Sequence, residues 1–329
     1  MTSGSLLLSR DDVERLLTPD ACIAAVEDAF RQLADGRAPP PGILGMHAGD
    51  GSFHVKAGFL EDDRPYFAAK LNANFPQNAA RHGLPTIQGA VILSDAGNGA
   101  PLAIMDSMYI TELRTAAATA VAAKYLSRQE CGTALICGCG GQAAAQIRAL
   151  VRVRKPRRIL AFDLDAAKSS AFAASLGKEL GIPVESAPDL AAAVAGSEIV
   201  ITCTTARRFF VTREMVRPGT FIAAVGADHE QKQEIEPRLL AEAKLVTDLT
   251  EQACQIGDLH HAVAAGAMTR ESVYAELGEV IAGRRPGREG DDEITVFDST
   301  GTGIQGVAAA IAVYRRALDA EAGTRFTFA

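Results

Sequence analysis

The sequence predicts an α/β protein in which a doubly wound parallel sheet follows a separate α+β domain. Strand and helix patterns alternate from residue 133 to residue 298, which is typical of a parallel sheet with helices on both faces. A glycine-rich segment, residues 138–143, joins the first of these strands to its helix. The chain has 329 residues, and at about 150 residues per domain this length leaves room for a second domain.

The composition is that of a soluble globular protein, with 48% hydrophobic and 22% charged residues. The formal net charge of −7 argues against a nucleic-acid partner. No apolar run approaches the ~18 residues of a membrane span, and the N-terminal segment lacks the basic and apolar regions of a signal peptide. The six cysteines form no C-x-x-C pair, which fits reduced thiols better than zinc or disulfides. We therefore expect a cytoplasmic protein without a membrane partner.

The N-terminal region predicts two short helices between residues 9 and 34. Ser9 is expected to cap the first helix. Thr18 or Asp20 is expected to cap the second, with Pro19 in its first turn. A glycine and three prolines then end the second helix.

Strand patterns dominate residues 43–105, and an Ala-rich helical pattern covers 107–128. The alternating region then contains seven strand patterns, at 133–137, 158–163, 183–186, 198–204, 221–227, 244–248 and 294–298. A final helical pattern at 301–320 is expected to pack back on the N-terminal region.

The segment Gly138-Cys139-Gly140-Gly141-Gln142-Ala143 fits the pattern G-x-G-x-x-A between a strand and a helix. The first glycine permits a tight turn, the second lets the backbone approach a pyrophosphate, and the small third residue allows close packing of helix on strand. The helix N-terminus adds N–H donors for the phosphates. The pattern therefore predicts a Rossmann-type dinucleotide site, and a tight turn without a ligand is the alternative.

Asp163 ends the second strand of the alternating region. A carboxylate at this place accepts hydrogen bonds from the adenine ribose, which favours NAD over NADP. Arg157 and Arg158 precede the body of the same strand and keep NADP open as the cofactor.

Longer motifs resemble those of the ornithine cyclodeaminase/μ-crystallin family. The matching segments include HGLPTIQGAVILSD, ELRTAAATAVAAKYL, GCGGQA, VGADHEQKQEIEP, IGDLHHAVAAG and EITVFDSTGTGIQ, and the resemblance covers about residues 6–320. It implies a homodimer whose chain has a Rossmann domain at 129–304. It also implies a discontinuous substrate-binding and dimerisation domain made of 1–128 and 305–329.

The resemblance implies that Lys70 and Arg114 hold the carboxylate of a small amino or imino acid. The chemistry is suitable, because Arg can bind a planar carboxylate through two parallel hydrogen bonds. Asp228, after the strand FIAAVGA, is implied to act as a base at the substrate nitrogen. The alternatives are an exposed Lys70, an Arg114 that caps a helix or pairs with Glu112, and a helix N-cap at Asp228.

The resemblance also implies cofactor contacts outside the glycine loop. These positions are Thr86, Thr204, Val225, Gly226, Ser299 and Gly301. The loop 298–301 resembles one that lies near the nicotinamide, with a simple turn as the alternative. His260, His261 and Cys254 match no compact metal site, so no metal is expected.

The sequence departs from the family pattern in the substrate region. Gly42 stands where many members have Arg or Lys, 56–58 replaces a Met-Pro-Ala segment, and Gly306 replaces an Asp. His54 and Lys56 share one face of a predicted strand. Lys56 is predicted either to replace the lost cation or to lie at the surface, and His54 either to be structural or to bind substrate.

The expected function is hydride transfer between a nicotinamide and the α-carbon of an imino acid or ketimine, or the reverse oxidation of the matching L-amino acid. The altered segment 42–58 favours such a reductase over an ornithine or lysine cyclodeaminase. A small-molecule-binding protein of the μ-crystallin type, without turnover, is the third alternative.

Overall fold

The computed structural model describes residues 4–328 and divides into two compact units. The first unit contains the chain up to Arg114 and again from Thr302, and the second contains Thr115–Gly301. The boundaries expected from the sequence, 128/129 and 304/305, both lie later in the chain than these divisions. The first division falls inside a helix, where no glycine or proline marks it.

The elements of the chain are numbered in order. Up to residue 126 they are β1 (Ser5–Leu8), α1 (Arg10–Leu16), α2 (Pro19–Ala34), β2 (Gly42–Ala48), β3 (Gly51–Glu61), β4 (Pro65–Asn74), α3 (Asn78–His82), β5 (Ile87–Asp95), β6 (Pro101–Asp106) and α4 (Met108–Leu126). They continue with β7 (Thr133–Cys137), α5 (Ala143–Val153), β8 (Arg158–Phe162), α6 (Ala166–Leu180), β9 (Val184–Ser186), α7 (Leu190–Ala195), β10 (Ile199–Thr202), β11 (Arg207–Val211), β12 (Phe221–Ala224) and β13 (Gln233–Ile235). The remainder are α8 (Pro237–Glu242), β14 (Lys244–Thr247), α9 (Thr250–Ile256), α10 (Asp258–Ala264), β15 (Ala275–Glu276), α11 (Leu277–Ile281), β16 (Thr295–Asp298), α12 (Gly303–Asp319) and β17 (Thr324–Phe326).

The first two helices begin where the sequence predicts. Ser9 and Asp12 form a capping box at α1. At α2, Thr18 accepts a hydrogen bond from the Ala21 N–H, and Pro19 is the first helical residue. These bonds satisfy N–H groups that the first turn of a helix leaves without intrahelical partners. The predicted caps at Ser9 and Thr18 are confirmed.

The first unit is built on a seven-stranded sheet of order β17-β1-β6-β5-β4-β3-β2. Its strands are antiparallel except for β1 beside β6. Helix α12 packs on β3, β4 and β5, and α2 packs on α12; we call this side the inner face. On β4 the inner face carries the buried residues Tyr66, Ala68, Lys70 and Asn72, whereas Leu71 points to the exposed outer face.

The second unit is built on an eight-stranded parallel sheet of order β15-β14-β16-β12-β10-β7-β8-β9. All seven predicted strands are present in it, and only the two-residue β15 is not predicted. From β9 to β12 the strands follow the order 3-2-1-4-5 of the Rossmann fold, and β16 then lies between β12 and β14. The predicted α/β fold class is confirmed.

Differences from the prediction occur at the carboxyl edge of this sheet. The strands predicted at 198–204 and 221–227 end at Thr202 and Ala224, because the chain leaves the ladder there and forms loops. The segment after Asp228 is a turn followed by β13, not a helix, so Asp228 is not a helix N-cap. Strand β13 pairs with β11 in a separate two-stranded sheet.

The cysteines are free thiols, as their spacing predicts. Burial raises the pKa of Cys139 to about 11 and raises the pKa values of Cys137 and Cys203 further. Such thiols stay protonated and unreactive, which agrees with a packing role beside the glycine loop. Within residues 4–328, no helix is long and apolar enough to cross a membrane.

Candidate active site

The glycine loop follows β7 and turns sharply at Gly138. The φ angle of Gly138 is +92°, in a region that favours glycine. A Cβ atom there would lie 2.8 Å from Thr204 Cγ2 and 3.0 Å from the Cys203 carbonyl oxygen. The Gly138 N–H donates to the Phe162 carbonyl at 2.8 Å, which ties the turn to the end of β8. Both the backbone conformation and the space therefore require glycine here.

Gly140 and Gly141 face open space instead. A Cβ atom at either position would meet nothing within 4 Å. Gln142 precedes the first residue of α5, Ala143, and makes no side-chain cap hydrogen bond. The Ala143 N–H donates to the Gly140 carbonyl at 3.1 Å, and no side-chain cap at Gln142 serves the rest of the first turn. A helix N-terminus of this kind binds phosphate. The loop fits the pyrophosphate of a dinucleotide.

Asp163 follows β8 at the same edge of the sheet. Its carboxylate accepts hydrogen bonds from the Cys139 N–H at 2.9 Å and the Asp165 N–H at 3.0 Å, and Lys168 Nζ lies 3.4 Å away. Burial raises the pKa of Asp163, but these donors and the Lys168 charge lower it more. The ionised carboxylate, linked to the glycine loop, fits the hydroxyls of an adenine ribose.

Arg157 and Arg158, which leave NADP possible as the cofactor on sequence grounds, lie at the amino end of β8, away from Asp163. Arg158 is its first residue and donates to Thr133 Oγ1 at 3.0 Å, and the Arg157 N–H bonds to the Gly132 carbonyl. At about 3.3 Å per residue, the strand separates Arg158 from Asp163 by roughly 16 Å. Neither arginine is therefore placed to bind a phosphate on that ribose, and the geometry favours NAD.

The predicted cofactor positions Thr204, Val225 and Gly226 follow the carboxyl ends of β10 and β12. Glu234, which the sequence analysis does not identify, is fully buried against this edge. Its Oε1 accepts hydrogen bonds from the N–H and the hydroxyl of Thr204, each at 2.6 Å. Its Oε2 accepts from the Gly226 N–H at 2.8 Å and from Thr202 Oγ1 at 2.6 Å. Its place in the polar stretch EQKQEIEP hides its burial from sequence reasoning.

The loop after β16 carries the predicted cofactor positions Ser299 and Gly301. The Ser299 N–H donates to the Ala224 carbonyl at 2.9 Å. Asp248, also fully buried, accepts from Thr300 Oγ1 at 2.8 Å and from the Gly301 N–H at 2.6 Å. The loop is therefore tethered to the sheet edge by a carboxylate, and its place near the nicotinamide stays a prediction.

Two further buried carboxylates, Asp258 and Asp298, support this loop. Asp298 accepts from the Leu259 N–H at 2.8 Å and the Asp258 N–H at 3.3 Å. Asp258 Oδ1 accepts from the Glu234 and Ile235 N–H groups at 2.7 and 2.9 Å. Burial raises the pKa of Asp298 to about 7, and burial together with the Asp298 charge raises that of Asp258. The two carboxyl groups are therefore not both ionised at neutral pH.

Lys70, in the first unit, is buried on the inner face of the sheet. Its Nζ donates to Thr111 Oγ1 at 3.0 Å. The amide of Asn72, two residues along the same face, is best satisfied with its oxygen 3.3 Å from Lys70 Nζ and its nitrogen donating to Ser107 at 2.7 Å. The alternative of an exposed Lys70 is therefore wrong.

Arg114 lies on α4 and is also buried. Its Nη1 donates to Gln305 Oε1 on α12 at 2.6 Å. The Gln305 Nε2 is buried without a hydrogen-bond partner in the described structure, so the Gln305 amide is oriented by Arg114. Arg114 follows the first turn of α4, so it does not cap the start of that helix.

Lys56 and His54 lie on β3 next to these residues. The register of β3 and β4 places Lys56 opposite Lys70 and His54 opposite Asn72. Side chains of directly opposed residues stand on one face with Cβ atoms about 5 Å apart. Lys56 is half-buried on the inner face, which supports a role as the replacement cation. His54 bonds to the Ser52 hydroxyl at 3.0 Å, as a structural residue would.

Asp228 and Thr86 occupy more exposed places. Asp228 lies in the loop after β12, with its side chain 53% exposed and Oδ1 accepting from Lys232 Nζ at 2.6 Å. Thr86 precedes β5, and its carbonyl accepts from the Phe75 N–H at 2.8 Å. Their roles toward substrate and cofactor stay predictions.

The histidine pair has ordinary hydrogen-bond partners. His260 Nδ1 lies 3.1 Å from the Cys254 carbonyl, and His261 Nε2 lies 2.8 Å from the Lys232 carbonyl. Residues 4–328 contain no group of three or more His, Cys, Asp or Glu side chains that could hold a metal ion.

Comparison with known proteins identifies the family. The model of the ornithine cyclodeaminase/mu-crystallin family matches residues 4–321, nearly the whole chain. The chain belongs to this family. The resemblance inferred from the sequence motifs is confirmed, and with it the expected Rossmann fold.

Solved structures of three family relatives are similar over nearly the whole chain. An archaeal alanine dehydrogenase dimer with bound NAD is 38% identical, with a TM-score of 0.94 and 99% of both chains covered. The Δ1-pyrroline-2-carboxylate reductase of Thermococcus litoralis, in complex with NADH and L-proline, is 34% identical, with a TM-score of 0.91 and coverage of 98% of this chain and 100% of that one. The iminosuccinate reductase of Paracoccus denitrificans, in complex with NAD+, is 32% identical, with a TM-score of 0.93 and coverage of 99% and 100%. All three relatives carry NAD in one of its forms, in agreement with the predicted cofactor.

Proposed function

We propose that the protein binds NAD(H) in its second unit and reduces a small imino acid or ketimine, or oxidises the matching L-amino acid. The observation that carries this proposal is the buried pair Lys70 and Arg114 on a chain whose other unit has a dinucleotide loop. The three solved relatives, which are named as an alanine dehydrogenase and two imino-acid reductases, support the same chemistry.

The second unit would hold the cofactor with the groups described above. The glycine loop and the start of α5 would bind the pyrophosphate, and Asp163 the adenine ribose. A nicotinamide bound there would supply the hydride for the α-carbon of the carbon–nitrogen double bond. The nitrogen then takes a proton, so the product is an amino acid.

The first unit would hold the carboxylate of the substrate. Arg114 and Lys70 are buried cations whose known partners here include neutral oxygens of Gln305 and Thr111. A carboxylate makes shorter and stronger hydrogen bonds to a guanidinium or ammonium than such neutral groups do. Arg114 would bind both carboxylate oxygens, and Lys70 would add a second positive charge.

Asp228 would exchange the proton of the substrate nitrogen. Its carboxylate is exposed and forms an ion pair with the ammonium of Lys232. A carboxylate of this kind is suited to stabilise an iminium and to accept a proton from an ammonium.

The charge on the inner face favours a reductase over a diamino-acid cyclodeaminase. Lys56 stands opposite Lys70 on the same face, and Arg114 is buried in the same unit. A distal ammonium group, as in ornithine or lysine, would be repelled by these cations. A neutral or acidic side chain would not be repelled. We therefore propose a substrate without a second amine.

The proposal is tested by following NADH absorbance with a panel of substrates. The panel contains pyrroline- and piperideine-2-carboxylate, and pyruvate or oxaloacetate mixed with ammonia. We expect NADH oxidation with at least one of them and little proline from ornithine with NAD+. Rapid proline formation from ornithine would establish a cyclodeaminase instead, and NADH binding without any turnover would establish a binding protein.

The outer face of the first unit's sheet would pair with a second copy of the chain. Phe59, Leu71 and Ile92 stand on this face and are 41%, 46% and 45% exposed. An apolar surface of this kind on a sheet marks an interaction site, and one relative is described as a dimer. Light scattering should show a dimer that Leu71→Lys shifts towards monomer. Leu164→Lys, at an exposed leucine of the second unit, should leave the dimer intact; a monomeric wild-type protein would contradict the proposal.

A further inference from the structure

Glu234 is a fully buried carboxylate that the proposed chemistry does not use. It accepts four hydrogen bonds of 2.6–2.8 Å, from two backbone N–H groups and two threonine hydroxyls. The backbone donors belong to Thr204 and Gly226, which are both predicted to contact the cofactor. Glu234 therefore fixes two loops at the carboxyl edge of the sheet, at the ends of β10 and β12.

The arrangement of donors requires two acceptor oxygens, as a carboxyl group provides. Each oxygen accepts one backbone N–H and one hydroxyl. A hydroxyl can rotate and become an acceptor, but a backbone N–H can only donate. A glutamine at 234 would always place its NH₂ group against the N–H of either Thr204 or Gly226. It would lose one of the two backbone bonds and leave a buried donor without a partner.

The packing against Gly226 shows how closely Glu234 is fitted to the strand end. A Cβ atom at 226 would collide with Glu234 Oε1 and lie 2.5 Å from the Thr204 carbonyl oxygen. Glycine at 226 is therefore needed for the carboxylate to reach both loops. On its other side, the Glu234 N–H donates to Asp258 Oδ1 at 2.7 Å, which fixes the backbone from which the side chain extends.

The strand order assigns this edge to one half of the dinucleotide. In a Rossmann sheet, each mononucleotide half of the cofactor lies over one half of the strands. The loop after β7 and Asp163 after β8 belong to the adenosine half. Strands β10 and β12 are the fourth and fifth of the Rossmann order, so their ends belong to the nicotinamide half.

We propose that Glu234 is a positioning residue for the nicotinamide half of the cofactor, because it sets the backbone of Thr204 and Gly226 at the strand ends. It holds two loops that contact the cofactor and need not contact the cofactor itself. This inference rests on the dinucleotide site of the proposed function and not on the identity of the imino acid.

The test compares binding of the whole cofactor with binding of its adenosine half. NADH fluorescence titration measures binding of the whole cofactor, and calorimetry with ADP measures binding of the adenosine half alone. Glu234→Gln should weaken NADH binding about tenfold or more, because it removes a buried hydrogen bond and leaves a buried backbone N–H without a partner. ADP binding should stay within about twofold of wild type, which a general loss of structure would not allow. Asp163→Asn is the matched control and should weaken NADH and ADP together.

A milder variant keeps the inference testable if Glu234→Gln does not fold. Thr202→Val removes one hydroxyl donor to Glu234 Oε2 and keeps the side-chain shape. It should weaken NADH binding a few-fold, at about 1 kcal/mol for one hydrogen bond, and leave ADP binding unchanged. Equal weakening of NADH and ADP by either variant, or no weakening by either, would overturn the role of Glu234. If the wild-type protein bound neither ADP nor NADH, the proposal of a dinucleotide site would be wrong, and this inference would fail with it.

Discussion

The carboxyl edge of the second sheet and the substrate region of the first unit bury ionisable groups of opposite type and use them differently. At the carboxyl edge of the second sheet, four carboxylates are fully buried: Glu234, Asp248, Asp258 and Asp298. Each accepts backbone N–H groups, so these side chains hold loops in place. In the first unit, Lys70 on β4 and Arg114 on α4 are buried and donate to side-chain oxygens. These buried carboxyl groups organise backbone, whereas Lys70 and Arg114 are suited to hold a ligand.

The contrast follows from what each group can bind. A carboxylate accepts several hydrogen bonds, and the backbone at a loop offers N–H donors in number. Lys and Arg side chains only donate, so a ligand that brings two acceptor oxygens suits them best. Changes to the cations should therefore affect substrate, and changes to the carboxylates should affect cofactor and stability. The predictions that follow test this division.

The largest effect is expected for Arg114→Ala. Removal of one partner of a buried charged hydrogen-bonded pair costs about 2–5 kcal/mol, so kcat/KM for the imino acid should fall about 10²–10³-fold. The Kd for NADH should change less than about twofold. Arg64→Ala, which removes an exposed arginine of the same unit, is the matched control and should be near wild type. An equal loss of NADH binding and turnover would contradict the division.

The two regions also differ in how far the sequence predicts them. The glycine loop is contiguous in sequence, and each glycine has a local cause, such as the φ of +92° at Gly138. The inner face depends on register: Lys56 and Lys70 meet because β3 and β4 are paired residue by residue. Periodicity predicts the face of each strand but not its partner. The roles of Lys70 and Arg114 therefore come from family resemblance and not from pattern.

Short and tertiary features could not be predicted. The two-residue β15 is too short for a periodic pattern, and the three-residue β17 depends on pairing with the edge of β1. Glu234 is six residues after Asp228 in a stretch that reads as a solvated surface. Its burial is determined by donors on Thr202, Thr204 and Gly226, which lie at or just after the ends of β10 and β12.

The second largest effect is expected for Asp163→Ala. The variant removes an ionised acceptor for the ribose hydroxyls, so NADH affinity should fall about 10- to 100-fold at about 1.5–3 kcal/mol for a charged hydrogen bond. NADPH affinity should change less, because its ribose 2′-hydroxyl carries a phosphate. KM for the substrate at saturating NADH should be unchanged. Glu185→Ala, at an exposed residue of β9, is the control; a larger loss for NADPH than for NADH would refute the assignment.

The carboxylates should also make stability depend on pH. Burial raises the pKa of Asp298 to about 7 in the folded state, above its ordinary value of 3.8. Between these values the folded protein holds a proton that the unfolded chain has released, so the free energy of unfolding falls as pH rises towards 7. The slope from one such proton is at most about 1.4 kcal/mol per pH unit and ends above the folded pKa.

Urea unfolding at several pH values measures this slope. Asp298→Asn keeps a neutral side chain at all pH values, so its slope between about pH 5 and 7 should be smaller than that of the wild type. Asp95→Asn, at a carboxylate of the first unit, is the comparison and should retain the wild-type slope. Identical slopes for Asp298→Asn and wild type would show that Asp298 holds no proton in this range.

The smallest effect is expected for Lys56→Gln, and it tests whether the inner face selects substrates by charge. Lys56 is half-buried opposite Lys70, where solvent screens its charge, so its contribution to binding an anion is about 1 kcal/mol. KM for iminosuccinate, which has a second carboxylate, should rise about three- to tenfold. KM for pyrroline-2-carboxylate, which has only one, should change less, since Arg114 and Lys70 remain. If both KM values rise by the same factor, Lys56 helps to hold the common carboxylate and replaces the cation missing at Gly42. If neither KM value rises, Lys56 has no part in binding, and the substrate carboxylate is held by the buried Lys70 and Arg114.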